Sequence, residues 1–62
     1  MANDLTDDEV AEIKPVAYAN SGSELDRLMM RWFFQPPELR VRTAEAIREE
    51  YGKMKAAREE KP

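Results

Sequence analysis

Carboxylates and guanidiniums are the groups in this chain that could do chemistry. Asp4, Asp7, Asp8, Glu9 and Glu12 cluster near the start. Five carboxylates could hold a hard divalent cation, or present negative charge to a basic groove as a nucleic acid does. A hard cation needs several oxygens converging on one point, whereas neighbouring carboxylates on a helix start diverge, and no EF-hand spacing is present. Arg27, Arg31, Arg40, Arg42 and Arg48 accompany Trp32, Phe33 and Phe34. Guanidiniums interleaved with aromatics can hold phosphates and stack bases. A nucleic-acid-binding domain, however, usually carries a clearly basic face, and the net charge here is −3. Glu49 and Glu50 are adjacent on a predicted helix and point apart, which does not suit paired acid–base work. With no His and no Cys, imidazole and thiolate chemistry, disulfides and thiolate metal sites are excluded. There is no glycine-rich phosphate loop and no Gly-x-Ser-x-Gly. The reading is a non-enzyme with no cofactor and no metal.

The elements that must position these groups are helical. Leu25, Leu28, Met29, Trp32 and Phe33 recur at i, i+3, i+4, i+7 and i+8, the stripe of a helix with one buried face. Met30 and Phe34 lie off that stripe, so this helix has more apolar surface than one seam needs. Ser23 is its predicted N-cap after the Asn20–Ser23 turn, and Pro36–Pro37 ends it. Upstream, Thr6 and Glu9 form a capping box, with Leu5 and Val10 as its hydrophobic staple. Asp7, Asp8 and Glu9 then sit in a first turn, where the helix dipole favours negative charge. Pro15 disfavours a helical Lys14, so the first helix is expected to end or break there, with a kinked continuation to residue 18 as the alternative. Pro37 suits the first position of a third helix, along which Leu39, Thr43, Ile47, Tyr51 and Met54 recur at steps of four, four, four and three. Ala44 and Ala46 admit a close neighbour, and Gly52 is a weak point.

The expectation is therefore an all-α fold, a small three-helix domain with helices at about 7–14, 24–34 and 37–57. A single domain spans residues 1–62, with frayed ends at about 1–4 and 58–62. The expected core is Val10, Ile13, Leu25, Leu28, Met29, Trp32, Phe33, Leu39, Ile47 and Tyr51. A chain of 62 residues buries only about 60% of its unfolded surface, and no disulfide or metal can compensate. Self-association or a partner could, and a homodimer is expected slightly ahead of a monomer, with Met30, Phe34 and the face of helix three at the contact. No apolar run approaches the roughly 20 residues that cross a bilayer. The acidic start is unlike the basic start of a signal peptide. A cytoplasmic protein is expected.

Charge is also distributed unevenly. Residues 1–26 carry seven acids and one base, and residues 27–62 carry nine bases and six acids. In general style only, a small acidic chain without catalytic groups resembles accessory proteins of phages and mobile elements. Anti-CRISPR proteins and polymerase inhibitors are examples. That style implies stoichiometric occupation of a host protein's surface in the host cytoplasm, although no motif carries the likeness. The expected function is a non-catalytic protein-binding module, an inhibitor or regulator of a protein complex. A dimeric nucleic-acid-associated regulator using the arginine-rich second half is one alternative, and a structural subunit of a larger assembly is another. Two partner-binding surfaces are candidates. Met30, Arg31, Phe34 and Arg40 form an apolar and arginine edge of the residue types that dominate interface hot spots. Asp7, Asp8 and Glu12 form an acidic one. The first is preferred, because helix capping already accounts for the acids.

Overall fold

The computed structural model describes residues 3–59, which form three helices in chain order: α1 (Asp7–Ala19), α2 (Glu24–Phe34) and α3 (Pro37–Glu59). No strand occurs among the described residues. The expected frayed ends at 1–2 and 60–62 lie outside them. Asn3 and Asp4 accept hydrogen bonds from side chains of α2 and α3, and Arg58 and Glu59 lie in α3.

The helix starts follow from local chemistry. The Glu9 amide donates to Thr6 Oγ1 at 3.1 Å, and the Thr6 amide donates to Glu9 Oε1 at 3.0 Å, which completes the capping box. At α2 the Asp26 amide donates to Ser23 Oγ at 3.2 Å. Gly22 turns the chain between α1 and α2 with φ of 85°, a conformation that side chains with a Cβ rarely take. Gln35 is extended, as the residue before Pro36 must be, and Pro37 begins α3.

The expected stop at Lys14 does not occur. α1 runs through Pro15 for 13 residues to Ala19. The proline removes one backbone donor, which orphans the carbonyl four residues earlier. Both Pro15 and Ala11 are exposed, so that carbonyl faces water, while Ile13 and Ala17 on the opposite side are buried and hold the helix to the core.

The core joins Leu5, Ile13, Ala17, Leu25, Met29, Trp32, Ala44 and Ile47, with Val10, Val16, Leu28, Tyr51 and Met54 packed partly against it. The expected core residues Phe33 and Leu39 are exposed, at 38% and 48%. At 100° per residue, Phe33 lies about 90° around α2 from the line through Leu25, Leu28, Met29 and Trp32. The four-residue steps from Leu39 to Ile47 over-rotate by about 40° each, which carries Leu39 roughly 80° away from Ile47. Arg40, Thr43 and Ala44 take the inward positions instead. Ala44 has no exposed surface, as a close helix contact requires, and Thr43 is buried, with hydroxyl contacts to the Gln35 side chain and the Leu39 carbonyl.

Candidate functional site

Arginines and acids meet across the helices at one corner. Arg48 on α3 grips Glu9 with both arms of its fork, Nε to Oε2 at 2.6 Å and Nη2 to Oε1 at 2.7 Å. The same guanidinium donates to the carbonyls of Asn3 at 2.6 Å and Asp4 at 2.9 Å. Such a bidentate, charge-assisted pair is stronger than a neutral hydrogen bond. Arg48, together with the Thr6 amide, holds the Glu9 carboxyl down at about 2, and Glu9 in turn raises the Arg48 pKa.

Next to this pair, Asp4 Oδ1 accepts from Trp32 Nε1 at 2.7 Å and from the Leu5 amide at 2.8 Å. Arg40 completes the corner. Its Nε donates to the carbonyls of Trp32 and Gln35, each at 3.1 Å, and its guanidinium lies 4.6 Å from the Trp32 ring centroid. A cation here satisfies orphan carbonyls at the C-terminus of α2 and complements its dipole. Arg40, a candidate partner-binding residue, thus has a complete intramolecular role and is half-buried.

A different surface is open. On α1, Lys14 and Tyr18 are four residues apart and share a face. On α2, Met30, Phe33 and Phe34 do the same. Together with Ser21 and Asp26 they line an open groove of about 470 Å³ between the two helices. Tyr18 and Met30 are each 54% exposed and Phe34 is 85% exposed. Lys14 Nζ lies between two aromatic faces, 5.6 Å from the Tyr18 centroid and 5.4 Å from that of Phe33. Phe33 meets Trp32 edge to face, with centroids 5.3 Å apart. Arg31, exposed, borders this face one turn before Phe34.

The fold therefore brings Met30, Phe34 and Arg31 together and separates Arg40 from them. Lys14, Tyr18 and Phe33 complete the face without having been read as part of it. Their signal was the i, i+4 spacing of Lys14 and Tyr18, hidden by the expected break at Pro15, and the assignment of Phe33 to the core.

The acidic candidates stand elsewhere. Asp7 and Asp8 are exposed in the first turn of α1. Glu12 is exposed beside the Tyr51 hydroxyl, whose pKa its carboxylate raises. Lys53 pairs with Glu50 at 3.1 Å and Glu49 at 3.8 Å, both at the surface, and Arg48 reaches across to Glu9. Among the described residues, no three metal-capable side chains group together and no helix is long and apolar enough to cross a membrane.

Comparison of the chain with protein-family models, with curated proteins and with solved structures finds no match.

Proposed function

We propose that this chain is a non-catalytic module that binds another protein through the α1–α2 face and acts by stoichiometric occupation. The observation that carries this reading is the adjacency of Tyr18, Met30, Phe33 and Phe34, four large apolar side chains exposed on one face. Contiguous exposed apolar surface is a common mark of an interaction site. Met and aromatic residues are the types enriched at interfaces, where thioethers adapt and rings supply contact area. A small inhibitor or regulator works in this way, and an origin in a phage or mobile element, with action in the host cytoplasm, belongs to the same proposal. The nucleic-acid alternative is weakened by the engagement of Arg40 and Arg48 within the fold, which removes two of its five arginines.

Affinity capture from the source cell, comparing the unaltered chain with a Met30→Ala/Phe34→Ala double variant, tests the proposal. The retained protein is then purified and titrated calorimetrically. The expected result is a one-to-one end point with the unaltered chain and no heat with the double variant. Retention by the double variant, combined with loss on charge reversal at Asp7, Asp8 and Glu12, would transfer the binding role to the acidic surface. Turnover of a substrate at substoichiometric protein would end the non-catalytic reading.

A further inference from the structure

We infer that the α1–α2 groove takes an acidic amphipathic helix of a partner protein, with apolar anchors on Met30, Phe33 and Phe34 and carboxylates on Lys14, Arg27 and Arg31. This rests on the protein-binding reading and adds the chemistry of the occupant. The argument begins with charge. Lys14 is the sole base among residues 1–26, and the fold places it in the lining of the groove with its ammonium within 5.6 Å of the Tyr18 and Phe33 ring centroids. Rings on two sides replace part of its water shell while leaving it able to receive an anion.

Two more cations follow around α2. Arg27 is one turn from both Met30 and Arg31, and Arg31 is one turn from Phe34, so the guanidiniums rim the apolar strip. Both are exposed, and among the described residues none of Lys14, Arg27 and Arg31 takes part in an ion pair. Asp26, the carboxylate that lines the groove, is turned to the Gly22 amide, which donates to its Oδ2 at 3.1 Å. Lys14 and Asp26 are the charged residues of the lining, so the positive excess of this apolar groove comes from Arg27 and Arg31 on its rim. Its complement is a segment with apolar residues on one side and carboxylates flanking them, in the helix-in-groove mode.

A second copy of the chain fits less well. An isologous contact brings the same patch of both copies together, which sets Lys14, Arg27 and Arg31 of one copy against a surface of the same sign. A partner helix with carboxylates does not meet this repulsion.

The test uses the full chain and a displayed library of amphipathic helices of roughly four turns. Apolar anchors are kept and the flanking positions are randomised over acidic, amide and basic residues. Selection is carried out on the unaltered chain, with the Phe34→Ala variant as counter-selection. Phe34 is exposed, so this variant keeps its fold, which circular dichroism verifies. The expected winners carry Glu or Asp beside the anchors and fail to bind the Phe34→Ala variant. In the best peptide, Glu→Gln changes should weaken binding about tenfold at low salt, and Lys14→Gln should weaken the Glu peptide but not the Gln peptide. Winners with amide or basic flanks that still need Phe34 would overturn the acidic class and leave the docking face intact. Winners indifferent to Phe34, or none, would overturn both. A dimer in sedimentation equilibrium that dissociates on Phe34→Ala would also overturn the inference, because the second copy would then be the occupant.

Discussion

Two faces of α2 treat aromatic and cationic residues in opposite ways. At Trp32 the indole N–H is bonded to Asp4, the ring lies under Arg40, and Arg48 is shared among Glu9, Asn3 and Asp4. One helical position later, Phe33 begins a face on which Met30 and Phe34 are exposed and the nearby Arg27 and Arg31 form no ion pairs among the described residues. The same residue types therefore serve two ends. Where donors and acceptors are matched, an aromatic–arginine cluster closes the fold. Where they are unmatched, it is available to another molecule. Composition alone does not separate the two; a rotation of one residue along a helix does.

The largest test of this contrast is Trp32→Ala. Removing a buried indole should cost about 3–5 kcal/mol, which a domain of this size rarely has in reserve. The cooperative thermal transition followed by circular dichroism should disappear. An unchanged melt would mean that the corner does not hold the fold.

The Arg48–Glu9 pair should give a smaller, pH-dependent effect. The Glu9 carboxyl is lowered from 4.5 to about 2 in the folded chain. A lowered folded-state pKa gives stability that is present above the unfolded value and lost as pH falls through the folded one. The window is therefore from about 4.5 down to about 2. Because the pair is partly exposed, its worth is discounted to roughly 1–2 kcal/mol. Glu9→Gln should lower the melting temperature at neutral pH and flatten the acid limb between those values. An acid limb unchanged by Glu9→Gln would assign acid unfolding to other carboxylates.

Met30→Ala/Phe34→Ala should have the least effect on folding, within about 0.5 kcal/mol per site, because exposed side chains contribute little to the core. A loss of several kcal/mol in urea unfolding would show that this face packs inside the protein and would erase the contrast.

The local part of the fold was readable in the sequence. Thr6–Glu9, Ser23, Gly22 and Pro36–Pro37 act over one to four residues, and the predicted bounds of α2 match the observed ones. What escaped was of two kinds. The first is angular: Phe33 and Leu39 satisfy an i, i+4 rule, yet accumulated over-rotation takes them off the buried line. The second is long-range. Asp4 to Trp32 spans 28 residues and Glu9 to Arg48 spans 39, and no pattern in the chain marks such pairs before the helices are placed. Pro15 combined both, since an exposed proline on the wet side of α1 is tolerated only because Ile13 and Ala17 are anchored opposite it. A break at Pro15 would put Lys14 and Tyr18 in different elements and leave the groove with a single wall.

The lone tryptophan also makes the molecule self-reporting. Its indole is fixed on one side by a carboxylate and a guanidinium and touches Phe33 edge-on at 5.3 Å on the other. Loss of the corner releases the ring to solvent, which shifts its emission to longer wavelength together with the loss of helix. Occupation of the neighbouring face alters the surroundings of Phe33 while the helix content stays constant. Fluorescence and circular dichroism recorded on the same unlabelled sample therefore distinguish unfolding from docking by whether the two signals move together or apart.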